Sequence, residues 1–331
     1  MAPRMVAEAM AEVVTVALEP VSPPLRCDRA LVQALEVAGH AVTRSMLARA
    51  FDEGDVRAEG RVLKPSARIE RSLAVEVRLP RRQPLRAEPE ALPLEVIHED
   101  AAVLVVDKPA GMVVHAGPGH PRGTLVNAVL HHLGCSAEGL PVLPGNDATR
   151  PGIVHRLDRD TSGVMVIAKH AAAQEALAAQ FRVHDLRRRY LGVVEGLPSW
   201  DAKRVETGHG RDPADRRRFC AREDAKRRAV TEIEVVERLA GASVLGFSLH
   251  TGRTHQIRMH ARWLGMPILG DALYGRTPRD ARVRAAVEGL GRHALHAERL
   301  ELRHPEDGRV ACWTAELPAA LRALIEALRR E

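Results

Sequence analysis

Asp158 is the residue in this chain best placed by its neighbours to do chemistry. It lies in Gly152-Ile153-Val154-His155-Arg156-Leu157-Asp158-Arg159-Asp160-Thr161-Ser162-Gly163, between Arg156 and Arg159. The apolar run 153–157 precedes it and a second run, 164–168, follows. Short apolar runs rich in β-branched residues predict strands, with the charged and small residues between them forming a loop. Guanidinium groups beside a carboxyl favour its ionised form, so Asp158 is expected to be a ready nucleophile or general base near neutral pH. An isolated Arg-Leu-Asp-Arg is more often a turn with surface ion pairs, so the remainder of the chain has to decide between the two.

The ordered string His155-Arg156-Leu157-Asp158-Arg159-Asp160-Thr161-Ser162-Gly163 resembles the signature of the RluA-type pseudouridine synthases, which isomerise uridine in ribosomal or transfer RNA. Other segments carry the same resemblance. They are Asp107-Lys108-Pro109-Ala110-Gly111, then His250-Thr251-Gly252-Arg253-Thr254-His255-Gln256-Ile257-Arg258-Met259-His260, then 267–275 and 292–297. The resemblance makes Asp158 the catalytic residue and gives Tyr190, 32 positions later, a place in the active site. Where the family has Lys two positions before that tyrosine, this chain has Arg188. A basic partner must hold Asp158 ionised in a partly dry site, because burial alone would raise its pKa. Arg258 is the first choice and Arg253 the second. The resemblance has Arg156 fill the space left by a flipped base. His155 and Lys108, as motif residues, join Arg156 and Arg253 as expected substrate contacts.

The elements that must hold these residues read as follows. Residues 1–24 are expected to be a poorly packed lead-in, with 13–17 a possible edge strand. Helical spacing begins at Asp28, taken as an N-cap, and a second helix is expected behind Thr43. A short hairpin over 54–66 and a strand over 73–79 complete a region, 25–80, that resembles an S4 RNA-binding domain. There Arg26, Arg29, Arg44 and Lys64 are expected to line a phosphate-binding surface, against the plainer reading of a solvated basic face. Residues 81–93, rich in Pro and charge, read as a linker. Residues 94–331 then form the catalytic domain. Within it Thr124 is expected to cap a helix over 125–133, 134–149 to be a surface loop, and Thr254 to cap a helix over 255–264. Residues 204–228 are expected to be a basic insertion gripping phosphate. The fold implied by the resemblance is α+β, a mixed, largely antiparallel central sheet with flanking helices.

Composition limits the alternatives. Apolar residues make up 45% of the chain, enough for a sizeable core. No run is long enough to span a membrane, and Glu8 and Glu12 interrupt the first twenty residues, so a cytoplasmic address is expected. The net charge of +6 permits a polyanionic partner. Aromatic residues are only 3%, so base stacking on an aromatic sheet is not the expected mode and phosphate contacts must dominate. The four cysteines stand far apart, and His255 and His260 are five apart without a third ligand, so no metal site is expected. The glycines of 117–124 lack the Gly-Lys-[Ser/Thr] of a phosphate loop, and no nucleotide cofactor is expected.

The expected activity is therefore isomerisation of specific uridines in RNA, through Asp158, after the base has left its helix. Large-subunit ribosomal RNA is the expected target, ahead of transfer RNA, and the expected state is a monomer. The sequence leaves open whether Asp158 attacks the ribose, attacks the base or removes a 2′ proton. Two readings of other classes compete: a non-catalytic RNA-binding or ribosome-assembly factor, and a glycoside or nucleoside hydrolase using Asp158 and Asp160. The joint presence of Asp158, Tyr190 and Arg258 favours the enzyme over the first. The second is disfavoured because carboxylates two apart on one loop are not assured of facing each other across a sugar ring.

Overall fold

The structure, a computed structural model, describes residues 11–40, 42, 44–80, 87–117, 120–143 and 149–329, without the side chains of residues 11, 12, 44–46 and 80. The chain folds as two compact units, Met1–Pro84 and Leu85–Glu331. Thr43, residues 81–86 of the expected linker and residues 144–148 of the expected loop lie outside the described residues.

The first unit holds strand β1 (Ala11–Leu18), helices α1 (Cys27–Val37) and α2 (Arg44–Asp52), and strands β2 (Val56–Ala58), β3 (Arg61–Val62) and β4 (Leu73–Pro80). Its sheet runs β1-β4-β2-β3, antiparallel throughout. Within the segment expected as a loose lead-in, the possible edge strand at 13–17 is present as β1, at the edge of this sheet. β1 pairs with β4 along its whole length, and Val14, Val16 and Leu18 alternate into a core shared with Leu31, Leu35, Leu47, Val75 and Val77. A period of two buries every second side chain of a strand, and three branched or aliphatic residues in those positions are enough to dock it. Asp28 is not an N-cap. α1 starts one residue earlier, because the amides of Cys27 and Asp28 donate to the carbonyls of Ala67 and Pro65 at 2.7 and 3.1 Å. With those helix donors already satisfied, the Asp28 carboxylate instead takes Nε and Nη2 of Arg26.

The second unit is built on a ten-stranded sheet. In chain order it holds β5 (Glu95–Glu99), β6 (Val103–Lys108), α3 (Leu125–His132), β7 (Ser162–Ala168), α4 (Ala171–Val183), β8 (Arg187–Glu195), β9 (Ala202–Arg211), β10 (Phe219–Ala221), β11 (Arg228–Arg238), β12 (Ala242–Leu249), α5 (Gln256–Trp263), α6 (Ala281–Val287), β13 (Leu295–Arg303), β14 (Val310–Thr314) and α7 (Ala319–Arg329). The strand order is β10-β9-β11-β12-β8-β13-β7-β6-β5, with β14 also beside β13. Every pairing is antiparallel except the short one between β7 and β13. This is a mixed, mostly antiparallel α+β fold.

β6 and β7 run through the middle of two cores. Leu104, Val106, Met165 and Ile167 face a core that also takes α3 and α7, while Val103, Val105, Val164 and Val166 face a second one with α4. A strand buried on both faces reads as a continuous apolar run, which is what Val164-Met165-Val166-Ile167-Ala168 is. Thr124 caps α3 in a reciprocal box, its amide donating to Asn127 Oδ1 at 2.9 Å while its hydroxyl accepts from the Asn127 amide. Where β7 meets β13, Gly163 has φ of 118°, and a Cβ there would fall 2.1 Å from the Ala297 carbonyl oxygen, so only glycine fits.

One local expectation is corrected. The run 153–157 is not a strand: it makes one bridge, Ile153 to Ile167, and then leaves the sheet. The amide of Val166, which a continuing strand would have bonded, donates instead to His155 Nε2 at 3.1 Å. The basic stretch 204–228 is partly sheet, since β9 and β10 pair within it. Much of its charge is matched on the spot, with Arg217 on Asp215, Arg218 on Asp212, Arg222 on Asp224 and Arg228 on Glu206.

Candidate active site

The loop that carries Asp158 is fixed from both sides. From below, Lys108 at the end of β6 sends Nζ to the carbonyls of Pro109, Met112 and Arg159 at 2.8, 2.9 and 3.0 Å. From the side, the Thr161 hydroxyl meets His293 Nε2 at 2.7 Å and the Ser162 hydroxyl meets His296 Nδ1 at 2.9 Å. The Thr161 amide donates to the Asp158 carbonyl, closing a turn behind the acid. Arg159 pairs with Asp160, so it is not the cation that neutralises Asp158.

That cation is Arg258, on the first turn of α5. Its Nη1 donates to Asp158 Oδ2 at 2.9 Å, while Nε and Nη2 form a fork on Asp271 at 2.7 and 2.8 Å. Asp271 is fully buried in turn and also accepts from the amides of Leu273 and Tyr274. Burial works against the charge on Arg258, but the bonds and charges of Asp271 and Asp158 outweigh it and raise the guanidinium above its ordinary value. Burial likewise works against Asp271, and Arg258 holds it below the usual carboxylate range. Three of the five guanidinium N–H bonds are thus committed, which fixes the plane of the group and leaves one Asp158 oxygen for a substrate.

Asp158, Tyr190, Arg156, Arg253, His255 and Arg258 line one cleft, with Leu249 and Leu295 as apolar walls. Tyr190 is buried in β8, opposite Phe247 on β12 and Ala297 on β13, and burial raises its phenol. His255 comes within 3.9 Å of Asp158 and contacts the Tyr274 hydroxyl at 3.0 Å. Burial pulls its imidazole below the ordinary value, which favours the neutral ring. Arg156 is exposed at the mouth of the cleft, and Arg253 donates to the Arg228 carbonyl at 3.3 Å.

Thr254 does not cap α5. The N-cap is His255, in the left-handed region at φ of 57°, and the Gln256 amide holds the preceding loop. Gln256 Oε1 accepts from Thr251 Oγ1 and the Arg253 amide, while its Nε2 donates to Val230 O and Thr231 Oγ1. Those four bonds replace the hydroxyl cap and aim Arg258 at the cleft.

Two expected substrate contacts lie elsewhere. Lys108 is fully buried, all three of its protons are taken by carbonyls, and burial lowers it to about 7. Its role is to staple the loop. His155 stacks on Phe181 at 4.6 Å between centroids and accepts from β7. Burial lowers it to about 3, which keeps it neutral and able to accept. In the first unit, Arg26, Arg29 and Lys64 are exposed, Arg26 and Arg29 beside a groove between α1 and α2 that also holds Asp28, Glu36 and Asp52. The side chain of Arg44 lies outside the described residues. Asp271 was missed by sequence reasoning. Its local signal is its place in the segment 267–275 that resembles the family, and the geometry that gives it a role spans thirteen residues.

No helix among the described residues is long and apolar enough to cross a membrane. The model of the RNA pseudouridylate synthase family matches residues 102–263, a stretch that includes Asp158, Tyr190 and Arg258. The chain is 41% identical over 295 residues, 87% of its length and 86% of the relative's, to the ribosomal large subunit pseudouridine synthase D of Xanthomonas campestris. It is 37% identical to an uncharacterized RNA pseudouridine synthase of Chlorobaculum parvum, over 95% of this chain and 97% of that one. The solved structure of human RNA pseudouridylate synthase domain containing 4 shares the fold at a TM-score of 0.54 and 21% identity, covering 71% of this chain and 93% of that one. The chain belongs to the RluA-type RNA pseudouridine synthases, enzymes that isomerise uridine within RNA.

Proposed function

We propose that this protein isomerises uridines of large-subunit ribosomal RNA in the cytoplasm, as a monomer, with Asp158 as the catalytic residue. The observation that carries this reading is the bond from Arg258 Nη1 to Asp158 Oδ2 in a cleft walled by Tyr190. The reaction breaks the N1–C1′ bond of uridine, turns the base and joins C5 to C1′, with a proton leaving C5 and one gained at N1. The product is an isomer of the substrate, formed with no net oxidation or reduction, so the chemistry calls for no nucleotide cofactor. Arg258 orients the Asp158 carboxyl group for attack on the ribose or the base, or for removal of a 2′ proton. Tyr190 stacks on the base and is placed to take part in the loss of the C5 proton. Arg156, exposed at the cleft mouth, fills the place in the stack from which the uridine is withdrawn, at a cost of a few kcal/mol.

The target is supported by the relatives from Xanthomonas campestris and Nitrosomonas europaea, both named ribosomal large subunit pseudouridine synthase D. The first unit, two helices against a small antiparallel sheet, acts as an S4-type module over 25–80, with β1 added to its sheet. Arg26, Arg29, Arg44 and Lys64 are its phosphate contacts. The test is Asp158→Asn, assayed by tritium release from large-subunit ribosomal RNA labelled at uridine C5, with transfer RNA in parallel. Release from ribosomal RNA by the wild type, none by the variant and unchanged affinity are expected. Full release by the variant overturns the assignment of Asp158, and release from transfer RNA alone overturns the target.

A further inference from the structure

Arg187, Arg188 and Arg189 open β8, and the structure treats them differently. Arg189 reaches Glu234 and Glu298, and Arg187 reaches Glu301 at 3.5 Å. Arg188 points to the opposite face of the strand from Arg189, the face it shares with Tyr190 two residues on. There it lies over the Phe181 ring at 5.7 Å. Its Nε and Nη2 are closed to water and donate to nothing, and no carboxylate among the described residues pairs with it. Burial lowers the guanidinium from its ordinary value, opposed only by the Tyr190 phenol and by no carboxylate. A buried charge without a partner costs several kcal/mol, and a ring face compensates only part of that.

A cavity of about 430 Å³ opens beside this group. Its acids already have partners other than Arg188: Asp185 with Arg303 at 3.6 Å, Glu232 with His250 at 3.0 Å and Glu301 with Arg299 at 2.6 Å. His184, on the same wall, also has a buried Nδ1 without a partner. The cavity meets the Asp158 cleft at Leu249, which lines both. The loop that carries Arg253 comes against Arg188 at Gly252, where a Cβ would stand 2.5 Å from Nη1. Arg188 thus stands beside the catalytic cleft without the carboxylate that each of its neighbours Arg187, Arg189 and Arg299 has.

Resting on the reading of this protein as an RNA isomerase, we propose that Arg188 receives a backbone phosphate next to the uridine held at Asp158. A phosphodiester brings one negative charge per nucleotide and acceptor oxygens that suit a guanidinium fork. Its arrival would supply the missing partner and register the strand one nucleotide from the reacting sugar. Arg188 is then a positioning residue, two places from Tyr190 along the same strand face.

The test measures binding of a large-subunit ribosomal RNA transcript against salt for wild type, Arg188→Met and Arg188→Lys, with isomerisation read in parallel. Loss of one phosphate contact lowers the slope of log K against log salt by about 0.7, and Arg188→Lys is expected to restore it. A folded Arg188→Met protein with the wild-type slope overturns the proposal. Should that variant not fold, the wild type is given RNA fragments with single methylphosphonates on either side of the uridine. A loss of about tenfold in affinity at one position supports the site, and indifference at both positions overturns it. Binding without isomerisation by the wild type would defeat the catalytic reading and leave the slope result standing.

Discussion

Arg258 Nη1 stands 2.9 Å from Asp158 Oδ2, joining two residues 100 positions apart in the chain. One comes from an irregular loop and the other from the first turn of a helix, so the pair exists only when both are held. Lys108 holds the loop, and Gln256 and Asp271 hold the helix-borne arginine.

The first consequence concerns Asp271. Changing it to Asn keeps an acceptor for the amides of Leu273 and Tyr274 but removes the charge from a buried fork. Breaking a buried pair from one side costs about 3 kcal/mol, so the denaturation midpoint falls. Arg258 also loses the contact that sets its plane, and a misplacement of about 1 Å lowers turnover on the order of a hundredfold. Asp271 has no exposed surface for RNA, so KM stays within a few-fold of wild type. Steady-state kinetics of Asp271→Asn at a temperature where it is folded check this, and an unchanged kcat contradicts it.

How far the site is legible in the sequence follows from the same contacts. Asp158, Tyr190 and Arg258 are readable because the order of residues around each is distinctive. Lys108 misleads because a lysine in a motif invites a phosphate contact. Carrying the period of β6 two residues past Val106 puts 104, 106 and 108 on one face, and that face is core. His155 misleads in the same way, since no sequence pattern shows that its ring replaces a strand partner for the Val166 amide. β1 was undervalued because a valine alternation that short becomes a strand only when β4 is there to pair with it. The small sheet's other strands and both helices follow from local spacing, whereas the strand order of the large sheet depends on contacts between distant segments.

The second prediction is a pH dependence of stability. His260, fully buried between the hydroxyls of Thr207 and Thr231, and His293, buried on Thr161, are both lowered by burial to about 4. In the unfolded chain each would titrate near 6.5. Between those values the unfolded state binds protons and the folded state does not, so stability is complete above about pH 6.5 and falls as pH drops toward 4. Each histidine accounts for on the order of 3 kcal/mol over that range. Urea midpoints at pH 7.5 and 4.5 are expected to differ accordingly. His260→Gln, which keeps a donor and an acceptor but does not titrate, is expected to remove its own share of the slope and leave those of His293 and His155. A wild-type midpoint that does not move with pH would show that these rings are not held neutral.

The third prediction separates a staple from a contact. Lys108→Met keeps the length of the side chain but takes the lysine donor from the carbonyls of Pro109 and Met112, and leaves the Arg159 carbonyl only the Gly111 amide. Buried carbonyls without a partner cost about 1–3 kcal/mol each before the loop relaxes, so a stability loss of about 3 kcal/mol is expected. The Arg159 carbonyl lies one residue past Asp158, so isomerisation falls with the loosened loop. Affinity for RNA behaves differently, because a group with no exposure releases no counterions when RNA binds. The slope of log K against log salt for folded Lys108→Met therefore matches wild type. A slope lower by about 0.7 would return Lys108 to the phosphate-binding set and remove it from the scaffold that positions the acid.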